Sequence, residues 1–136
     1  MRWRSHLVLV VLVTGCVWRG YDRVLNIHLD VLSGMAEKMV SIAEVGRRPT
    51  SNDMTEMLYP LERGRLFLHQ YGRRSGEESY RQFADLLDRY GALAAAIDDA
   101  RTDDGRWAHL RPRLPDEAGD LRARVAAIRA VLAGAA

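Results

Sequence analysis

The feature that most constrains the fold is the spacing of apolar residues, which recur every three or four positions along most of the chain. This spacing matches the turn of an α-helix and gathers the apolar side chains on one face. Breaks at residues 46–53, 72–76 and 102–115, rich in Gly, Pro, Asp or Arg, divide the pattern into four stretches. Four amphipathic helices predict an all-α fold, an antiparallel four-helix bundle.

The helix limits follow from residues that favour or interrupt helix. The first predicted helix spans residues 18–45, and the fourth begins after Pro115. In the second stretch, Pro60 lacks the amide hydrogen used inside a helix, so a kink or a late start is expected there. Gly64 lies on the apolar stripe of that stretch and would allow another helix to approach closely. Residues 102–115 are expected to form an irregular connection.

Two capping patterns place the starts of the second and third helices. Asp53 and Glu56 have the spacing of a capping box, in which each side chain accepts a bond from an amide of the first turn. Ser75 and Glu78 have the same spacing. We therefore expect helices to begin near Asp53 and just after Ser75.

The amino terminus has the layout of a secretory signal. Arg2 and Arg4 precede an apolar run over residues 7–13, and the small residues Thr14 and Gly15 follow. The apolar run is about half of the roughly 20 residues that cross a bilayer as a helix. These features predict a cleaved signal peptide over residues 1–15 and a helical domain over residues 16–136.

The four residues Val13, Thr14, Gly15 and Cys16 resemble the lipobox of bacterial lipoprotein precursors. The resemblance covers only about residues 1–17. It implies cleavage before Cys16, diacylglycerol on the Cys16 sulfur and a further acyl chain such as palmitate on the new amino group. In that class Asp after the cysteine retains the protein in the inner membrane, so Val17 implies the outer membrane, facing the periplasm. In the alternative interpretation the segment is an ordinary buried helix and Cys16 a core cysteine.

Charge and cysteine content fit this interpretation. The chain has 20 basic and 18 acidic residues, and removing Arg2 and Arg4 with the signal leaves 18 of each. A neutral domain does not favour a nucleic-acid partner. Cys16 is the only cysteine, so no disulfide can form within the chain, and acylation would protect the thiol.

Haem or a soft metal is the alternative function that we keep. His28 lies on the apolar face of the first helix, and Met35 and Met39 are one turn apart. Imidazole and thioether groups bind haem iron or Cu(I). However, the histidines lack a partner at one-turn spacing, and methionines on an apolar face usually fill a core. We therefore predict no cofactor and no metal site.

The third helix carries a series of charges that alternate in sign at four-residue spacing: Glu77, Arg81, Asp85 and Arg89. Such a series usually forms a solvated ladder of ion pairs. It is also a candidate partner-binding surface, with Arg81, Asp85 and Arg89 as its residues. No serine stands in the Gly-x-Ser-x-Gly context of a nucleophile, and no glycine-rich phosphate loop occurs.

Together these patterns predict a non-enzymatic envelope lipoprotein. It would act as an accessory or scaffold that holds a partner protein at the membrane to which Cys16 anchors it. An enzyme remains a third hypothesis, because catalytic carboxylates or histidines can converge in space without a sequence signature.

Overall fold

The computed structural model describes the backbone of residues 2–71 and 77–134 and the side chains of residues 20–71 and 77–134. Within these ranges the chain is helical, which confirms the predicted all-α fold. The helices are α1 (Arg2–Glu44), α2 (Ser51–Gln70), α3 (Glu78–Ala100), α4 (Asp104–Leu110) and α5 (Leu114–Gly134), and a 3₁₀ turn at Arg111–Arg113 links the last two.

Four long helices form the predicted bundle. α1 packs against α2 and α5, and α3 packs against the same two helices from the opposite side. Neighbouring helices run antiparallel. For example, Glu37 of α1 faces Arg122 of α5, while Asp30, earlier in α1, pairs with Arg129, later in α5. The short α4 lies across one end and packs on α3.

The core consists of the apolar stripes that the sequence places on each helix. Leu25, Leu29, Phe83, Tyr90 and Ile97 have no measurable exposure to solvent. The phenol of Tyr90 donates a hydrogen bond of 2.6 Å to the carbonyl of Met57 on α2, so its polar atom is satisfied inside the core. Burial raises the pKa of Tyr90, which keeps the phenol protonated.

α1 is the longest element, with 43 residues against 20 in α2 and 21 in α5. It begins at Arg2, sixteen positions before the predicted start, and runs without a break through Cys16. It ends in a Schellman motif, in which Gly46 has φ 77° and the amide of Arg47 donates to the carbonyl of Ile42 at 3.1 Å. The extra length of α1 therefore lies at its amino-terminal end.

The predicted cap of α2 was placed three residues too late. Thr50 is the N-cap, and its hydroxyl accepts a bond from the amide of Asp53 at 3.1 Å while the Asp53 carboxylate accepts one from the amide of Thr50 at 2.8 Å. Asp53 thus holds the third helical position of a capping box and is not the cap. Glu56 instead pairs with Lys38 of α1.

The predicted cap of α3 is also wrong. Ser75 lies outside the described residues, but the helix begins at Glu78 and its N-cap is Glu77, whose side chain makes no capping bond. The region expected to be irregular, 102–115, contains the two turns of α4. Asp103 caps α4 by accepting a bond from the amide of Arg106 at 2.9 Å.

Pro60 and Gly64 both lie inside α2. Pro60 lies inside the helix and is buried, so the helix continues past it instead of starting late. Gly64 is buried against α3, and a Cβ on it would lie 2.7 Å from Cδ2 of Leu87. The expected close approach of helices at Gly64 is confirmed.

Candidate functional site

A groove lies at the end of the bundle where α1 stops. This distal groove has a volume of about 540 Å³. It is formed by the last turns of α1, by α4, by the 3₁₀ turn and by the first turn of α5; its lining is Val40, Ala43, Glu44, Ala108, Arg111, Pro112, Leu114 and Pro115. Its walls are mostly apolar, and its volume falls within the range of about 300–1,000 Å³ found for ligand pockets.

Local interactions hold α4 in the position that forms one wall. Trp107 and Leu110 are buried in the core and fix one face of α4. Arg48, in the connection after α1, pairs with Asp104 at the start of α4. Arg48 also donates a long bond of 3.5 Å to the carbonyl of Arg101. The two connections at this end of the bundle are thereby joined.

The rim of the distal groove carries one charge of each sign. Glu44 and Arg111 are both exposed, and within the described residues neither side chain forms an ion pair. The other arginines near this end are paired with carboxylates: Arg47, Arg48, Arg101, Arg106 and Arg113. Glu44 and Arg111 are therefore the charged groups available to a molecule that enters the groove.

Two smaller grooves lie beside α4 and α5. One, of about 390 Å³, is bordered by Asp99, Arg106 and His109, but Asp99 is occupied by an ion pair of 2.7 Å with Arg106. The other, of about 200 Å³, is bordered by Arg89 and Glu117. Neither brings together a nucleophile, a base and a third group that orients the base.

Cys16, the predicted lipidation site, lies within the helical backbone of α1. Its side chain falls outside the described residues, as do those of Val13, Thr14 and Gly15. No helix in the part of the chain searched, which covers only described residues, is both long and apolar enough to cross a membrane.

The predicted charge ladder on α3 is rearranged. Arg81 pairs with Glu78 at 2.6 Å, and Asp85 pairs with Arg124 of α5, which also binds Asp120. Arg89, the third candidate, borders the groove of about 200 Å³. Arg81 and Asp85 are thus engaged within the chain. Their role in binding a partner remains a prediction.

The residues considered for haem or metal do not converge. His28 and Met39 are eleven positions apart on one helix, which separates them by about 16 Å along its axis. Met39 is buried in the core, and Met35 packs against that core. Among the described residues, no group of three or more His, Cys, Asp or Glu side chains has the geometry to hold a metal ion.

His28 is a boundary residue within an aromatic cluster. Its ring centroid lies 5.0 Å from that of Phe67 and 6.1 Å from that of Phe83. Burial lowers the pKa of His28 from its usual value, and the positive charge of Arg63 lowers it further. The side chain is therefore neutral near pH 7, and ring packing accounts for its position.

The distal groove was not predicted from the sequence, because residues 102–115 were expected to be irregular. A usable signal was present: Trp107, Leu110 and Leu114 follow the three- and four-residue steps of a helix, and Asp103 stands where a cap is needed. Comparison with protein-family models, curated proteins and solved structures found no match to this chain.

Proposed function

We propose that this chain is a lipid-anchored protein of the bacterial envelope that holds a partner protein in the distal groove. The lipobox-like residues that end at Cys16 motivate the anchor. The observation that carries the proposal is their position, because they lie on the same uninterrupted helix that ends beside the groove. The outer membrane, on its periplasmic face, is the proposed location because Val17 follows Cys16.

The length of α1 determines where the groove would stand. From Cys16 to Glu44 the helix rises about 42 Å at 1.5 Å per residue. After cleavage, one turn of helix would separate the lipid from Tyr21, which packs against Tyr71 of α2 at 4.4 Å between ring centroids. A short rigid connection supports a bundle held directly on the membrane, with the groove at its far end.

Tethering would be the mechanism. Two or three acyl chains bind a bilayer far more stably than the single chain that gives marginal binding. Confinement to the membrane surface raises the effective concentration of the groove with respect to partner proteins in the same membrane. The chain needs no catalytic step for this role.

The chemistry of the distal groove indicates what part of a partner it fits. Its apolar walls suit one aliphatic or aromatic side chain, which is the usual anchor of a protein interface. Arg111 and Glu44 would then pair with an acidic and a basic residue beside that anchor. We therefore propose an apolar residue flanked by opposite charges as the docking element.

The lipid anchor and the groove are tested with separate variants. Cys16→Ser should leave the protein unlipidated and move it from the membrane fraction to the soluble fraction. A processed Cys16→Ser protein that stays bound to the membrane would refute the anchor.

For the groove, Ala108→Asp places a charge on the apolar wall, and Ala95→Asp is the matched control on α3. Both alanines are exposed, so neither change disturbs the core. After mild detergent extraction, one protein should copurify with the parent and with Ala95→Asp and be lost from Ala108→Asp. Equal recovery from both variants would refute the groove as the binding site.

A further inference from the structure

An exposed apolar stripe runs along α1 on the side that no other helix in the described part of the chain covers. We define it as the α1 seam: Gly20, Val24, Ile27, Val31 and Gly34. Val24 is 40% exposed, Ile27 55% and Val31 45%, although each lies in the middle of a long helix. Cβ atoms built on Gly20 and Gly34 would meet nothing within 4 Å, so the ends of the seam are open as well.

The spacing of the seam is that of a coiled coil. Its residues alternate steps of four and three, which is a heptad repeat with Val24 and Val31 at one core position and Gly20, Ile27 and Gly34 at the other. Val17 continues the same register toward the amino terminus and remains in the chain after cleavage before Cys16. A bundle core alone needs one apolar stripe on α1, which Leu25, Leu29 and Leu32 already supply. The seam is thus a second apolar surface with the period of helix pairing.

We infer that the α1 seam pairs with the same seam of a second copy of this chain, with the two helices parallel. Parallel pairing follows from the proposed anchor, on which this inference rests. Two copies joined to one membrane at Cys16, without a flexible tether, stand in the same direction. Each seam residue then faces its counterpart in the partner copy, as the symmetry of a twofold dimer requires.

The composition of the seam and its flanks is compatible with this pairing. Val24 and Val31 supply β-branched residues at the first core position, as in two-stranded parallel coiled coils, although Ile27 and two glycines occupy the position where such coils carry Leu. One flank carries Arg23 and Asp30, and the other carries the uncharged Tyr21 and Met35 together with His28. In a parallel pair the first flank of each copy meets the second flank of the other, so these α1 side chains bring no like charges together.

The apolar seam ends at Lys38, which occupies the next core position and is turned toward Glu56 of its own α2. Its ammonium group is therefore already paired within the chain. The paired region runs from the membrane end of the bundle to about Gly34.

The seam is small, so its pairing depends on confinement of both copies to the membrane. The exposed fractions of its three aliphatic residues add up to less than two whole side chains per copy. A stable interface in solution buries about 800 Å² per partner. The pairing is therefore weak for free chains and becomes effective when lipid anchors confine both copies to one surface.

Cysteine cross-linking in native membranes tests the pairing on the full lipidated chain. Acylation blocks the Cys16 sulfur, so Ile27→Cys supplies the only free thiol. Oxidation should then give a covalent dimer of twice the chain mass. Ala95→Cys, an exposed position on α3, is the matched control and should give several-fold less dimer.

A second pair of variants tests whether the seam drives the association. Val24→Cys should also form the dimer, and adding Ile27→Glu should abolish it, while adding Ala95→Glu should not. Ile27 is half exposed, so Ile27→Glu leaves the bundle folded, which circular dichroism verifies.

Each outcome decides a separate point. Lipidated Ile27→Cys that gives no more dimer than Ala95→Cys would overturn the pairing and leave the anchor standing. A dimer that Cys16→Ser, Ile27→Cys forms as fully as the lipidated Ile27→Cys chain would refute the need for the anchor and leave the pairing of the seams standing. Cross-links only between Val24→Cys of one copy and Ile27→Cys of another indicate antiparallel helices, and a cross-link to a different protein indicates another partner. Either result would refute the parallel dimer.

Discussion

Gly64 and Gly119 offer a direct test of how closely α2 and α3 pack. Both are helical glycines, and the same change to alanine should have opposite effects. A Cβ on Gly64 would lie 2.7 Å from Cδ2 and 3.3 Å from Cδ1 of Leu87, whereas a Cβ on Gly119 would meet nothing within 4 Å. Leu87 is 1% exposed, so its side chain has little room to move aside.

The expected changes in the free energy of unfolding follow from two opposing contributions. Alanine improves the stability of a helix interior over glycine by about 1 kcal/mol. Overpacking a filled core costs about 1–3 kcal/mol. Gly119→Ala should therefore raise the free energy of unfolding by about 1 kcal/mol, while Gly64→Ala should lower it by about 1 kcal/mol. A difference of about 2 kcal/mol corresponds to roughly 8 °C in Tm for a domain of this size.

Urea and thermal unfolding of residues 16–136 with Cys16→Ser, followed by circular dichroism, measures this difference. The urea midpoint should fall for Gly64→Ala and rise for Gly119→Ala, with unchanged slopes. A Gly64→Ala protein as stable as Gly119→Ala would refute the close approach of α2 and α3.

Three further predictions concern single interactions. Tyr90→Phe should lower the free energy of unfolding by about 1 kcal/mol in urea titrations, because it removes the buried bond to Met57. Burial lowers the pKa of His28, so below about pH 6.5 the unfolded chain takes up the proton more readily and stability falls; His28→Gln should flatten this loss between about pH 7 and 5 in urea midpoints. Asp103→Ala should cost about 1 kcal/mol through loss of the cap on α4, and amide exchange should speed up at Arg106 in particular, whose amide donates to the Asp103 carboxylate.

The helical bundle was predictable because the spacing of apolar residues that indicates each helix repeats over several turns. The apolar stripe of α3, for example, includes Phe83, Leu87, Tyr90 and Ile97, and all four are buried. Periodicity over several turns gives both the existence of a helix and its inner face.

Helix starts were less predictable because several residues near each start can act as a cap. Thr50 and Asp53 have the spacing of a capping box, and so do Asp53 and Glu56. In the structure Thr50 is the N-cap, and Pro49 just before it is buried. Local spacing alone does not contain that information.

Ion pairs between different helices could not be predicted from residue spacing within one helix. The four-residue spacing of Arg81 and Asp85 predicted an ion pair along α3, but Arg124 of α5 lies close enough to bind Asp85. The distal groove depends on α1, α4 and α5 meeting at one end, so it too arises from packing. Its lining residues are individually ordinary.

The lipid anchor is tested most directly by the intact mass of the protein extracted from its own membranes in mild detergent. We expect a chain that begins at Cys16 and carries two or three acyl chains. A chain that retains residues 1–15 without added lipid would contradict it.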